Sequence, residues 1–374
     1  MPTGIHPHPM ITAHESPRPR GPERGFGLPV GPSFTFVNSN ILSHPPHPIS
    51  LQLQGVGSYL PPRIVDSSEV DRRTGMPNGW TLRHTGVAQR RQIDRHTTVE
   101  MAAAALRSAF TTCPWPDPFP DLLLNAGSTP QQPIPCTAAL VAREMGWHGI
   151  PCFDVNATCL GFVVALQVAG SLLAAGNYRR IAIVCSEIAS IGLNWKQPES
   201  AGLMGDGAAA VLIEAGVGDS ALLQTLVETW PEGAATTEVR GGGTKLPPFH
   251  HQAGENTDEY LFDMQGPAVF RLAAAKMESF VERLVGSSSS RWDDVDWVIP
   301  HQASLPAIRH LRRRLGIPAA KLVETIQHHG NVVSASMPLA LHELIRSGRL
   351  LRGQSILFLG TSAGLSLGGA RLRY

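Results

Sequence analysis

The feature that most constrains the fold is an alternation that begins near residue 49 and runs to the C-terminus. Short apolar runs, "DLLLNAGS" (121–128), "CFDVNAT" (152–158), "RIAIVCSE" (180–187), "GAAAVLIEA" (207–215), "DWVIPH" (296–301) and "SILFLGTS" (355–362), are strand-like. Between them, segments 97–110, 135–146, 161–177, 267–286 and 336–349 carry apolar residues three and four apart, as helices do. Strands that are apolar along their whole length need cover on both faces, so this order predicts an α/β fold with buried sheets. An internal echo accompanies it: "GDGAAAVLIEAG" (205–216) closes the first part, and "GTSAGLSLGGARLRY" (360–374) closes the second with similar small-residue punctuation. The expectation is two lobes of one architecture, 49–217 and 218–374, with strand ends meeting at a central cleft.

Residues 1–48 read differently. They hold eleven of the 31 prolines and five of the 15 histidines (His6, His8, His14, His44, His47) without periodicity, which predicts a disordered tail. Elsewhere composition mainly excludes. Lys plus Arg total 31 against 30 for Asp plus Glu, so no global field gathers nucleic acid, and an anionic partner has to meet a local basic patch. Five cysteines (113, 136, 152, 159, 185) form no CxxC pair, which argues against a disulfide framework or zinc site and for a reducing, cytoplasmic setting. No apolar stretch is long enough to span a membrane.

Chemistry candidates come from junctions. Cys159 in "DVNATCLGFVVAL" ends a strand-like run and precedes a long, almost uncharged helix. In a first helical turn, the dipole and free N–H groups favour thiolate and can hold a developing oxyanion. A buried inert thiol remains the alternative. A nucleophilic cysteine needs a partner to manage protons, and His301 in "DWVIPHQAS" follows a buried strand, although it also reads as a core or surface histidine. Asn331 in "HHGNVVSASMP" sits in a glycine turn before a helix and is, by itself, only a turn residue. Cys152 and Cys185 lie inside strand-like runs and are expected to be core.

Taken together, "DVNATCLGF", "HQA", "HGN…SASMP" and "GDGAAAVL" (205–212) resemble the motifs of the β-ketoacyl-acyl-carrier-protein synthase III group of the thiolase superfamily, in family order. The resemblance covers about 50 to 374, apart from an insertion near 241–257. It implies a thiolase-like fold, two pseudo-repeated lobes layered αβαβα, working as a homodimer. It also implies an enzyme in which Cys159 takes an acyl group from coenzyme A and His301 and Asn331 stabilise the enolate formed as malonyl-acyl-carrier protein loses CO₂. The oxyanion donors it implies are the backbone N–H groups of Cys159 and Ala363. Coenzyme A is then a substrate, with no cofactor and no metal. A cysteine-dependent transferase passing the acyl group to a hydroxyl or amine stays open as a rival, as does a carrier-binding subunit without activity.

The same resemblance implies roles around the core. Trp80 matches the tryptophan that stacks on the coenzyme A adenine, with His84 where the family often has arginine. Ile134 matches a residue that reaches the partner's acyl pocket; it cannot act as a base, which favours decarboxylation and leans towards medium-length acyl groups. Arg309, Arg312, Arg313 and Arg314 form a cationic cluster suited to docking an acidic carrier protein, or a solvated helical face. Ser304 and Pro306 depart from the family's usual Asn and Arg. No cysteine lies beyond 185, which argues against a degradative thiolase.

Overall fold

Apolar runs become strands because they find cover on both faces, the edge run Cys152–Asp154 excepted. The computed structural model describes residues 47–216, 219–288 and 290–374; the Pro/His-rich tail up to residue 46 lies outside the described residues. The strands of the main sheet are β1 (Ile49–Tyr59), β2 (Leu122–Asn125), β3 (Cys152–Asp154), β4 (Arg180–Ile188), β5 (Asp206–Ala215), β6 (Ala221–Thr229), β7 (Trp297–Pro300), β8 (Ser355–Ser362) and β9 (Ser366–Arg373). They form one nine-stranded sheet in the order β7-β8-β9-β6-β1-β5-β4-β2-β3.

The pairing repeats itself. β2 pairs parallel with β4, β4 antiparallel with β5, and β5 antiparallel with β1. In the other half β7 pairs parallel with β8, β8 antiparallel with β9, and β9 antiparallel with β6. β3 adds parallel to β2 with Leu123 opposite Cys152, and a single bridge between Val298 and Leu322 takes the corresponding place beside β7. The halves join where β1 meets β6, Ser50 opposite Ala221.

Six helices supply the cover: α1 (Thr98–Phe110), α2 (Thr137–Glu144), α3 (Gly161–Ala174), α4 (Gly266–Val285), α5 (Leu305–Leu315) and α6 (Ser336–Arg346). α1 opens with a capping box, in which Thr97 Oγ1 accepts the Glu100 N–H and Glu100 Oε2 accepts the Thr97 N–H at 2.7 Å. α1 and α2 share one apolar cluster with Leu123, Ala182 and Val184, and α4 and α5 share another with Val298, Leu357 and Leu359. α3 and α6 occupy a third, which draws on Ile183 and Val211 from one half and Ile299, Ile356 and Phe358 from the other. The layers are thus helix, half-sheet, helix, half-sheet, helix. β8 shows why its sequence is apolar throughout: Ile356 and Phe358 face the central helices while Leu357 and Leu359 face the outer ones.

The sequence reading does not single out β1, β6 and β9. β9 carries two glycines and two arginines and β6 carries Gln224 and Thr225, so their strand character comes from partners and not from composition. Cys185 is buried against the central layer and Cys152 is half-buried, both in strands.

Leu166 of α3 is fully buried between the two half-sheets. Leu166→Ala is expected to lower unfolding free energy by about 2–5 kcal/mol in urea titration. Leu82→Ala, at a side chain 48% exposed, should stay within about 0.5 kcal/mol.

Candidate active site

Cys159 lies in a 3₁₀ turn, Thr158–Leu160, immediately before α3. Thr158 has φ 47°, a left-handed conformation rare for a β-branched residue. It is held there locally: its N–H donates to Asn156 Oδ1 at 3.1 Å, and its hydroxyl bonds Ser362 Oγ, which donates onward to Ala157 O at 2.9 Å. The end of β8 is thereby fastened to the cysteine turn. The backbone amides of Cys159 itself and of Ala363 stand near enough to the Cys159 sulfur to favour its ionised form.

His301 follows β7, its N–H donating to Leu359 O at 2.8 Å. A Cβ at Gly360 would stand 2.7 Å from His301 Cβ, so β8 must carry glycine there for the two strands to close over the ring. Gln302 fixes the strand end: its amide donates to Pro300 O at 2.7 Å and Val323 O at 3.2 Å, and its Oε1 accepts from Thr325 and Ile326. That ties His301 to the segment leading to Asn331. Gly330 takes φ 69°, and a Cβ there would meet Leu203 O at 2.5 Å. Asn331 is consequently stapled by its backbone to Leu203 O at 2.8 Å and Gly205 N–H at 3.0 Å. Its Oδ1 accepts the Val333 N–H at 2.9 Å, leaving Nδ2 without a partner among the described residues.

His301 and Asn331 line one cavity of about 510 Å³ together with Gly360 and Thr361 of β8. Cys159 joins them through β8, since Ser362, the next residue, is bonded to its turn and Ala363 brings its amide near the sulfur. The three residues singled out in sequence are therefore brought to one strand end.

Burial pushes the Cys159 thiol up to about 12, and the Glu187 carboxylate adds to the rise; the two amides oppose it. Burial also pushes the His301 imidazole down to about 4. The thiolate preference expected from the helix end is thus corrected: the amides are present, but desolvation outweighs them, and the thiol and the imidazole both rest uncharged. His301 Nδ1 has no hydrogen-bond partner among the described residues.

Residues 153–230 match the family model for 3-oxoacyl-[acyl-carrier-protein] synthase III, and 287–374 match the model for its C-terminal part. The β-ketoacyl-[acyl-carrier-protein] synthase III of Acidiphilium cryptum is 33% identical over 325 residues, 86% of this chain and 98% of the relative. That of Rickettsia bellii is 31% identical, covering 87% and 100%. The chain belongs to the β-ketoacyl-[acyl-carrier-protein] synthase III family. The synthase III structure from Aquifex aeolicus superposes with TM-score 0.77 at 29% identity, covering 87% of this chain and all of that one. The priming β-ketosynthase of the R1128 polyketide pathway gives TM-score 0.80 at 27% identity, covering 88% and 97%. The fold is therefore thiolase-like, as in these synthases.

The surroundings of this synthase-type centre are placed less uniformly. Trp80 is half-buried beside the cavity, with the His84 ring stacked on it at 4.1 Å and 18°; His84 and Thr85, and not Trp80, line the cavity. Ile134 is 83% exposed in the single chain and does not line the cavity. Of the arginines on α5, Arg309 pairs with Glu324 at 3.5 Å and Arg314 with Glu278 at 4.0 Å, while Arg312 and Arg313 make no ion pair among the described residues. The cluster is thus half neutralised, and only Arg314 reaches the cavity. Ser304 caps α5, accepting the Ala307 N–H at 3.3 Å, which gives its departure from the family pattern a structural role. The insertion hangs from a two-strand stem, Thr237–Glu238 with Asp263–Met264, whose Met264 lines the cavity. Glu187, fully buried at the end of β4, is the site residue the sequence reading missed; an acid closing an apolar strand in "RIAIVCSE" was its signal.

With the thiol pushed to about 12 and the imidazole to about 4, neither group titrates between pH 7 and 9 in the free protein. Iodoacetamide labelling of Cys159 should rise about tenfold per pH unit across that range. A plateau starting near pH 7 would show instead that a thiolate is already formed.

Proposed function

We propose that this chain carries out a decarboxylative Claisen condensation, loading an acyl group from coenzyme A onto Cys159 and joining it to malonyl-acyl-carrier protein. The observation that carries the reading is the pairing of a desolvated, neutral His301 with an Asn331 whose Nδ2 is unengaged, both lining one cavity at the strand end that also brings an amide near the cysteine sulfur.

In the first half, the Cys159 sulfur attacks the acyl thioester while the Cys159 and Ala363 amides hold the carbonyl oxygen as it becomes negative. The carbonyl re-forms, the C–S bond to coenzyme A breaks, and coenzyme A leaves as the thiol with the proton Cys159 gave up. In the second half, the carboxylate of the malonyl thioester departs as CO₂ and the bond's electron pair passes into the thioester. The enolate oxygen takes hydrogen bonds from His301 and Asn331. Asn331 carries no charge to titrate, and a buried neutral imidazole donates without bringing a charge of its own. The enolate carbon then attacks the acyl-cysteine carbonyl, the C–S bond breaks, and Cys159 leaves as thiolate and takes one proton from solvent. No base is required, in keeping with Ile134 where a carboxylate would otherwise stand.

The working form is a homodimer in the cytoplasm. β3 is an edge strand paired on one side only, Phe153 on it is 39% exposed, and Ile134 stands out of its own subunit at 83%. A second copy of the same edge covers this surface and receives Ile134 at its acyl pocket. Five free cysteines fit a reducing compartment. Coenzyme A lies against Trp80, and the carrier protein docks over Arg309, Arg312, Arg313 and Arg314, where Arg312 and Arg313 supply the unneutralised charge.

Incubation with acyl-CoA should add one acyl mass to the intact protein, and Cys159→Ala should abolish it. Asn331→Ala and His301→Ala should each slow CO₂ release from malonyl-acyl-carrier protein by about 10²–10³-fold, the scale for removing one donor from an oxyanion site. Acyl loading without malonyl-dependent CO₂ release would turn the reading to transfer onto a hydroxyl or amine.

Ile134→Ala enlarges the proposed pocket end by three carbons. Competition among acyl-CoAs should then shift the loading preference towards longer chains, by about 10-fold in relative kcat/KM. An unchanged preference would remove Ile134 from the pocket.

A further inference from the structure

Glu187 is fully buried, and none of the steps above uses it. Six donors converge on its carboxylate from two distant segments. Ser128 gives its N–H at 2.9 Å and its hydroxyl at 3.0 Å, and Thr129 its N–H at 3.1 Å and its hydroxyl at 2.9 Å. Ser334 gives its N–H at 3.3 Å and its hydroxyl. No cation pairs with it among the described residues, so these donors alone work against its burial, which still pushes the carboxyl above its usual range.

Ser334 stands in the second half of the molecule where Cys159 stands in the first. Each is the middle residue of a 3₁₀ turn, Thr158–Leu160 and Val333–Ala335, and each turn opens a central helix, α3 or α6. Each also follows a β-branched residue in the left-handed region: Thr158 at φ 47° and Val333 at φ 45°. Valine does not hold that conformation unaided. Two anchors hold it: the bond by which Asn331 Oδ1 takes the Val333 N–H, and the pair by which Glu187 takes both donors of the next residue. Since the first of these anchors fixes which end of the Asn331 amide points inward, the second fixes the amide indirectly.

We propose that Glu187 is a positioning residue for the malonyl half of the reaction, holding the Val333 turn through Ser334 so that Asn331 Nδ2 faces the enolate oxygen. This rests on the condensation reading above. It separates the two half-reactions, because Ser362 holds the Cys159 turn without Glu187, whose charge reaches the thiol only to oppose its ionisation.

The test measures the halves apart, acyl loading by intact mass and CO₂ release from malonyl-acyl-carrier protein. In Glu187→Gln, CO₂ release is expected to fall about 10²-fold, the cost of a misplacement of about 1 Å, while loading does not fall. Ser334→Ala, which removes one donor and leaves the carboxylate in place, should show the same split more mildly, and stands in if Glu187→Gln does not fold by circular dichroism. Adding Val333→Gly to Glu187→Gln should recover part of the lost CO₂ release, because glycine takes positive φ without support. A folded variant that loses both halves equally, one that loses neither, or a glycine variant without rescue overturns the proposal. A wild type that loads acyl groups but releases no CO₂ counts instead against the condensation reading, and the proposal falls with it.

Discussion

The rest of the structure depends on the burial of α3. Its sequence, GFVVALQVAGSLLA, carries no charged side chain, and it lies between two half-sheets whose inner faces both contribute to one apolar cluster. Its exposed line is narrow, Gln167, Ser171 and Ala174, and the apolar surface around the rest of the helix has no stable place in water. Because Cys159 is two residues from its start, that requirement carries the thiol to the middle of the molecule.

The electrostatics follow from this position. Desolvation drives the Cys159 thiol up and the His301 imidazole down, so both groups rest uncharged although they stand in what sequence reads as an acid–base arrangement. Chemistry that alternates between a nucleophile and a leaving group, with an enolate between, gains from neutral donors fixed before charge develops. The groups the proposed reaction would use as donors are backbone amides, one imidazole and one carboxamide, each anchored through its own backbone or by a neighbour such as Gln302 or Ser362.

The duplicated pairing pattern explains why the anchors are so alike. Both halves place a strained 3₁₀ turn before a central helix, and both turns are restrained by hydroxyl groups. One turn presents the cysteine, and the other follows the asparagine. The acid that restrains the second turn, Glu187, belongs to the opposite half of the sheet from Asn331, so the centre needs both halves in register.

The sequence by itself determined the α/β class, because apolar runs such as "SILFLGTS" require cover on both faces, and it located Cys159, His301 and Asn331 at element junctions. It did not reveal β1, β6 and β9, whose mixed composition becomes strand only when partners complete their hydrogen bonds. It did not show the resting charge state of Cys159, because a helix end is visible in sequence while the depth of the surrounding shell is not. Glu187, the Gln302 brace and the covering of Trp80 by His84 were likewise decided by the tertiary structure. Local order along a chain fixes periodicity and junctions, whereas desolvation and convergent hydrogen bonds are set by residues that meet only after folding, as Ser128 and Ser334 do across Glu187.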